Sequence, residues 1–286
     1  MRKWLVAFWI GATVALTGCS DEPGPLDDPP VLVDHWLTAS DGMKLHYLEL
    51  EGEGTPVVLL HGFLGTASGT WVAPGFAQAL AAAGHRVILL DQRGHGESDK
   101  PLEPSAYGEQ MVTDVIEMLD DLKINQAHVG GYSMGGEMTA MLMRRVPERF
   151  ITAHLGGAGI VETDEALRAA AAALDPKGTD PEEPRILALF EEATANLPPP
   201  DPRVIAAMTE AWAVWGPRPV DLTVIDFPVL TVNGEFDNPY SKTLRMTREL
   251  SQFENVVVPR RSHLTTLIDP LYLQSLVAFI DTHDPR

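Results

Sequence analysis

The chain has 286 residues, of which 45 % are hydrophobic and 21 % are charged, the proportions of a globular protein with a sizeable core. Its length suits one large α/β domain, with or without an insertion. The formal net charge of −19 argues against a nucleic acid partner, because phosphate backbones need a basic surface, and it also disfavours anionic polymer substrates.

The first 18 residues have the pattern of a secretory signal peptide. Arg2 and Lys3 precede an apolar run from Trp4 to Leu16, which is shorter than the roughly 20 residues of a membrane span. The run closes in Leu-Thr-Gly-Cys, which resembles the bacterial lipobox. The resemblance implies cleavage before Cys19 and a lipid on its thiol. Cys19 is the only cysteine of the chain, so the sequence allows no internal disulfide.

Residues 19–30 are rich in Asp and Pro and are predicted to form a tether outside the folded domain. Ser20 follows the cysteine, which by resemblance to sorting rules in Gram-negative bacteria favours the outer membrane. We therefore expect a protein of the bacterial cell envelope that is held at the membrane through Cys19. The alternatives are an uncleaved anchor and a periplasmic or secreted protein with an unmodified cysteine.

Predicted strands and helices alternate from residue 31 onwards. Short apolar or alternating runs predict strands, and longer amphipathic segments predict helices. This alternation is typical of a mostly parallel sheet with helices on both faces, so residues 31–286 are predicted to form one α/β domain. The predicted strands are Val33–Leu37, Lys44–Leu50, Pro56–His61, Arg86–Asp91, Ala127–Tyr132, Ile151–Gly157, Pro228–Gly234 and Glu254–Pro259. The predicted helices are Gly75–Ala83, Glu109–Leu122, Met134–Val146, Ser241–Leu250 and Pro270–Thr282.

The alternation stops between about residues 160 and 222, which are predicted to form a small helical cap over the sheet. Its predicted helical pieces are Glu165–Leu174, Ile186–Ala195 and Arg203–Trp215. Three aromatic residues of this segment, and Trp71 before it, either line an apolar substrate pocket or pack in the interior. The three are Phe190, Trp212 and Trp215.

Gly131-Tyr132-Ser133-Met134-Gly135 follows a predicted strand and precedes a predicted helix. A G-x-S-x-G sequence in that position predicts a sharp turn that exposes a nucleophilic serine at the amino end of a helix. His61-Gly62-Phe63 follows another buried strand, and the segment from Asp91 to Ser98 contains a G-x-G-x-S pattern. Together these features resemble the α/β-hydrolase superfamily, in particular its small esterase, lactonase and haloperoxidase-like branch.

The resemblance implies an α/β-hydrolase fold with Ser133 as the nucleophile. It also implies an oxyanion hole formed by the backbone N–H groups of Phe63 and Met134. His61 is expected to brace this loop and not to act as the base. Similarly, His95 and Asp99 are expected to have structural or exposed positions.

The family order along the chain is serine, then an acid, then histidine. Three histidines follow Ser133, and His263 is the predicted base because it lies in a short loop after the last predicted strand. The other two, His154 and His283, fall inside a predicted strand and at the chain end.

The predicted acid is Asp237, which lies just past the end of a predicted strand. Its neighbour Glu235 is expected to be a solvated or supporting charge. Glu162 and Asp164 are the alternatives, since some relatives carry the acid after the preceding strand.

The predicted function is a serine hydrolase that cleaves carboxylic esters of small to medium substrates through an acyl-enzyme on Ser133. The same triad would serve hydrolysis of C–C bonds or lactones, or perhydrolysis. A lipid-anchored binding module without catalysis is the alternative from another class. No cofactor or metal is expected, because the sequence has neither a glycine-rich phosphate loop followed by lysine nor a spaced His or Cys cluster.

Overall fold

The structure is a computed structural model that describes residues 31–194, 199–215 and 219–285. The predicted signal peptide, the tether and Cys19 lie outside the described residues. Within the described ranges, no helix combines the length and the apolar character that crossing a membrane requires.

Eight strands in the described part of the chain form one sheet. They are β1 (Leu32–Thr38), β2 (Lys44–Leu50), β3 (Pro56–Leu60), β4 (Arg86–Leu90), β5 (Ala127–Tyr132), β6 (Phe150–Gly156), β7 (Val229–Gly234) and β8 (Phe253–Val258). Their order in the sheet is β1-β2-β4-β3-β5-β6-β7-β8. β2 pairs antiparallel with β1 and β4, and every pairing from β4 to β8 is parallel.

The helices lie between and after these strands. They are α1 (Phe76–Ala82), α2 (Glu109–Asp121), α3 (Met134–Arg145), α4 (Glu165–Leu174), α5 (Glu183–Thr194), α6 (Pro202–Trp215), α7 (Pro239–Glu249), α8 (His263–Thr266) and α9 (Pro270–His283). The predicted α/β architecture with a helical cap, here α4 to α6 between β6 and β7, is confirmed. Most predicted ends differ by one to three residues from the structure, and sequence analysis missed α8 and a π-helical turn at Ser68–Val72.

The central strands are apolar throughout because helices cover both faces of the sheet. Val58 and Leu60 of β3 belong to the cluster that contains α2 and α3, whereas Val57 and Leu59 belong to the cluster that contains α1 and α9. Successive side chains of a strand point to opposite faces, so a buried parallel strand has no polar side. Trp71 is fully buried in the second cluster and packs edge-on against Phe76, which places it in the core.

The parallel arrangement brings the loops after β3, β5, β7 and β8 to one edge of the sheet. This is the carboxyl edge, where α/β proteins bind their ligands. The cap packs above it through α6, of which Val204, Ala207 and Met208 are buried in the same cluster as α2 and α3.

Candidate active site

Ser133 occupies a strained turn between β5 and α3, with φ 55° and ψ −117°. The turn requires close backbone contacts on both sides. A Cβ at Gly131 would lie 2.3 Å from the backbone of Gly135, and a Cβ at Gly135 would lie 2.1 Å from the carbonyl oxygen of Leu60. Both distances are far inside van der Waals contact, so the glycines of the motif are sterically necessary.

The structure brings Ser133, His263 and Asp237 into one hydrogen-bonded line. His263 Nε2 lies 2.8 Å from Ser133 Oγ, and His263 Nδ1 lies 2.8 Å from Asp237 Oδ2. A carboxylate only accepts, so Nδ1 carries the proton and donates a hydrogen bond to Asp237. Nε2 is then the acceptor for the serine hydroxyl. The prediction of a loop at His263 is wrong in detail, because this residue begins α8.

Two neighbours define the position of His263. The Tyr132 hydroxyl donates to the backbone carbonyl of His263, and the two rings lie 5.3 Å apart. Gly157 lies beneath the imidazole with φ 58°, and a Cβ there would come within 2.9 Å of His263 Cε1. The imidazole therefore depends on a tyrosine and a glycine for which sequence analysis gave no such role.

The second oxygen of Asp237 is bound by Lys242, which sequence analysis missed. Lys242 Nζ lies 2.6 Å from Asp237 Oδ1 and also donates to the carbonyl of Gly157 at 3.0 Å. Burial lowers the pKa of the Lys242 ammonium, and Asp237 and Glu137 act against that shift by stabilising the charge. The sequence places Lys242 shortly after Asp237, in the first turns of the next helix. It does not show that the ammonium group reaches the Asp237 carboxylate.

The alternative acids have other partners. Glu162 binds Arg248 through both oxygens, at 2.5 and 2.9 Å. Asp164 caps α4 by accepting from the backbone N–H of Leu167 at 2.9 Å. Of the predicted candidates, the structure therefore places Asp237 beside the imidazole.

The other two histidines after Ser133 have other surroundings. His154 is buried within β6, and burial lowers its pKa to about 3. His283 ends α9, where its Nε2 lies 3.3 Å from Glu254 Oε1.

The loop after β3 passes directly over the nucleophile. A Cβ at Gly62 would lie 3.3 Å from the Cβ of Ser133, and Phe63 follows in the wall of the same cavity. Met134 is the first residue of α3, where a backbone N–H has no acceptor within the helix. Both residues predicted for an oxyanion hole therefore border the space next to Ser133.

His61 braces this loop from inside the protein. Its Nε2 accepts from the backbone N–H of Gln92 at 3.0 Å, its Nδ1 donates to the Gly62 carbonyl at 2.8 Å, and the side chain is fully buried. Burial lowers the pKa of His61, so the ring is neutral, as this hydrogen-bond pattern requires. His95 packs against His61 and Phe63, and burial together with His61 lowers its pKa to about 3.

Two aspartates of the cap region contact the segments that carry the acid and the histidine. Asp175 accepts from the backbone N–H groups of Tyr240 and Ser241 at 2.8 and 3.2 Å, in the first turn of α7. Asp180 accepts from the backbone N–H of Ser262 at 3.2 Å, at the start of α8. Both aspartates are buried, and sequence analysis assigned neither of them a role.

A cavity of about 450 Å³ opens next to Ser133. Glu137 contributes an acidic group to this cavity, and burial raises its pKa. Of the predicted aromatic residues, Trp212 lines the cavity, Phe190 is exposed and contributes no wall, and the side chain of Trp215 lies outside the described residues. The other lining residues are mostly apolar: Phe63, Tyr107, Met111, Met134, Met208, Thr209 and Ala213.

Comparison with known proteins agrees with this architecture. A family model described as alpha/beta hydrolase fold matches residues 55–192. The chain is 42 % identical over 123 residues to the dihydrolipoyllysine-residue acetyltransferase component of the acetoin cleaving system of Pseudomonas putida, covering 42 % of this chain and 32 % of the relative. It is 41 % identical over 121 residues to an epoxide hydrolase of Caballeronia sordidicola, covering 41 % of this chain and 35 % of that enzyme.

Among solved structures, the chain is similar to Est816, described as an N-acyl homoserine lactone degrading enzyme. The TM-score is 0.64 with 25 % identity, and the match covers 85 % of this chain and 98 % of Est816. The chain has the α/β-hydrolase fold. It spans only about a third of the length of the two curated relatives that it matches.

The strain at Ser133 predicts an unusual order of stability among substitutions. Glycine adopts a positive φ without steric cost, whereas alanine keeps the Cβ that causes the strain. Ser133→Gly and Ser133→Ala both remove the hydroxyl, so the difference between their free energies of unfolding reports the backbone strain. We expect the glycine variant to be more stable in urea unfolding by about 1 kcal/mol. Equal stabilities would contradict a strained turn.

Proposed function

We propose that this protein is a serine hydrolase that cleaves carboxylic esters of small to medium substrates. The observation that carries the proposal is the hydrogen-bonded line from Asp237 through His263 to Ser133, which ends beside an apolar cavity. Nucleophile, base and orienting acid in hydrogen-bond contact are the arrangement that acyl transfer by serine requires. The similarity to hydrolases supports the same reaction class.

In the first step, His263 Nε2 takes the proton of the Ser133 hydroxyl as the oxygen attacks the ester carbonyl. Asp237 holds the Nδ1–H tautomer and stabilises the imidazolium that forms. His263 then gives the proton to the leaving alcohol, and an acyl group remains on Ser133. The His263 side chain is 44 % exposed and therefore accessible to water. A water molecule gives a proton to Nε2 as it attacks the acyl-enzyme, and the proton returns to Ser133 as the acid leaves.

The negative charge of the tetrahedral intermediate develops next to Ser133. In our proposal the backbone N–H groups of Phe63 and Met134 donate to it. The amino end of α3 adds a favourable dipole. Loss of one such donor typically costs about 3 kcal/mol of transition-state stabilisation, so the pair is a major part of the catalytic effect.

Lys242 acts as a positioning residue in this mechanism. It binds the Asp237 oxygen that His263 does not use, which holds the carboxylate plane in place. Lys242 is anchored in turn by the Gly157 carbonyl. The acid therefore has a defined orientation before substrate binds.

Lactone hydrolysis is a second candidate, and the similarity to Est816 over most of both chains favours it. A lactone is a cyclic ester, so the same steps apply and the leaving alcohol stays attached to the acyl group. Epoxide opening through an alkyl-enzyme ester receives no support, because that route needs a carboxylate at the elbow, where this chain has Ser133.

We further propose that Cys19 carries a lipid that holds the enzyme at the bacterial envelope, on the outer membrane. The basic residues, the apolar run and the Leu-Thr-Gly-Cys sequence support this location. The acidic, proline-rich segment that follows would separate the catalytic domain from the membrane surface.

The first test is hydrolysis of p-nitrophenyl esters from acetate to palmitate. We expect a maximum at short to medium acyl chains, because the cavity is compact. Ser133→Ala should lower kcat/KM at least a thousandfold, because the variant lacks the nucleophile. Ser251→Ala, at an exposed position, is the matched control and should retain full activity.

A maximum at long chains would overturn the proposed substrate size. Wild-type protein that neither cleaves esters nor reacts with a fluorophosphonate probe would favour a non-catalytic binding module. Cleavage of vinylogous diketones without ester cleavage would favour C–C bond hydrolysis.

The second test concerns Lys242. Lys242→Met should lower kcat by about tenfold with little change in KM, because a misplaced Asp237 weakens proton transfer and leaves substrate binding intact. Lys242→Arg should restore part of the loss, because the cation returns. Lys123→Met, at an exposed lysine far from the cavity, is the control. Wild-type kcat in Lys242→Met would show that the ion pair has no catalytic effect.

The third test concerns Cys19. Full-length wild type expressed in a Gram-negative host should incorporate labelled palmitate and sediment with outer membranes. Cys19→Ala should lose the label and leave the outer-membrane fraction. Unlabelled wild-type protein in the soluble periplasmic fraction would contradict the anchor without affecting the proposed chemistry.

A further inference from the structure

A second group of chemically reactive side chains lies at the opposite edge of the sheet from Ser133. His85 directly precedes β4, His128 is the second residue of β5, and Asp284 follows α9. Both histidine side chains are buried, and only 7 % of the Asp284 side chain is exposed. One ligand atom from each of the three residues lies within 4.8 Å of the other two.

The hydrogen bonds of the two imidazoles orient their Nε2 atoms toward this cluster. His85 Nδ1 lies 3.2 Å from the carbonyl oxygen of Thr55. A carbonyl can only accept, so Nδ1 carries the proton, and Nε2 of the neutral ring has a free lone pair. His128 Nδ1 lies 2.9 Å from the Thr152 hydroxyl, which can accept in the same way.

The groups that face these lone pairs are carboxylates. His128 Nε2 lies 3.7 Å from Asp284 Oδ1, and His85 Nε2 lies 3.5 Å from Asp281 Oδ1. Among the described residues neither Nε2 atom has a hydrogen-bond partner. Buried lone pairs opposite carboxylate oxygens repel each other, and either a proton on Nε2 or a cation between the groups removes this repulsion.

We propose that His85, His128 and Asp284 bind a divalent transition-metal ion of the Zn²⁺ type. Imidazole nitrogen and carboxylate oxygen are the ligands that zinc takes in tetrahedral sites, and Asp281 or water supplies the fourth position. Ligand atoms about 2 Å from a tetrahedral ion lie about 3.3 Å apart, so the three atoms need to approach one another by up to about 1.5 Å. No new fold of the chain is required.

The surrounding contacts are those of a supported metal site. The Thr55 hydroxyl donates to Asp284 Oδ1 at 2.5 Å, which orients the carboxylate. The carbonyl of Thr55 fixes the tautomer of His85, and the hydroxyl of Thr152 can accept from His128 Nδ1, as partners of metal-binding histidines generally do. The ligands come from widely separated parts of the chain, so they form no motif of regular spacing that the sequence would reveal.

The metal ion would join the end of α9 to the starts of β4 and β5. Because the ion would bind the folded chain and not the unfolded one, it would raise the free energy of unfolding. The site is remote from the proposed catalytic residues, so this inference stands independently of the ester hydrolase proposal.

The experiment uses the full-length protein without a histidine tag, treated with chelator and then titrated with ZnCl₂. We expect one zinc ion per chain by elemental analysis and native mass spectrometry, together with a rise of several degrees in Tm. Cobalt should give the absorption spectrum of a tetrahedral ion. Asp284→Asn and His128→Gln should each weaken zinc binding at least tenfold.

Glu254→Gln is the matched control, because Glu254 is an exposed acid that pairs with His283 nearby and lies outside the cluster. It should bind zinc as the wild type does. If His128→Gln does not fold by circular dichroism, Asp284→Asn decides the question, because Asp284 lies beyond the end of α9. The proposal would be overturned if folded wild-type protein took up no zinc. It would also be overturned if Asp284→Asn bound zinc as tightly as the wild type.

Discussion

The close packing of backbone at the turn around Ser133 is the constraint on which the candidate site depends. Gly135 presses against the carbonyl of Leu60, and Gly131 presses against Gly135. These contacts hold the end of β5, the start of α3 and the end of β3 together. They force Ser133 into a positive φ, and the hydroxyl then meets the imidazole of His263 while the loop through Gly62 lies alongside it.

A buried polar network keeps the loop after β3 in that position. Asp91 accepts from the backbone N–H of Ala67 at 2.7 Å and from His46 Nδ1 at 2.8 Å. The next residue, Gln92, binds His61 through its backbone N–H and its side-chain amide. Burial raises the pKa of the Asp91 carboxyl, but these hydrogen bonds outweigh it and lower the pKa below its usual value. The ionised carboxylate of Asp91 accepts these hydrogen bonds, which stabilises the observed loop conformation.

Much of this arrangement could be predicted from the sequence, because it depends on local patterns. Continuous apolar runs identify the central strands, and the strand–Gly-x-Ser-x-Gly–helix pattern identifies the turn. The triad order of the family and the positions after strands favoured Asp237 and His263, with Glu162 and Asp164 as alternative acids. The structure brings Asp237 and His263 together with Ser133. The short helix α8 could not be seen, since four residues carry no periodicity. The roles of Lys242 and Gly157 could not be predicted, because they depend on distances between segments in the folded structure. The same applies to His85 and His128, which become neighbours only when β4 and β5 are placed in one sheet.

The contacts of Asp175 and Asp180 have a consequence for how this protein can diverge. β6 pairs directly with β7, so the sheet is continuous whatever connects these strands, and loop length itself has a small energetic effect. Exposed cap positions are therefore free to drift, whereas Val204, Ala207 and Met208 are held by their packing in the core. The two aspartates are constrained as well, since they bind the backbone in the first turn of α7 and at the start of α8, next to the segments that carry Asp237 and His263. Homologues that acquire a new cap are expected to retain an acceptor at these two points, because without one the segments that carry Asp237 and His263 would lose a buried contact.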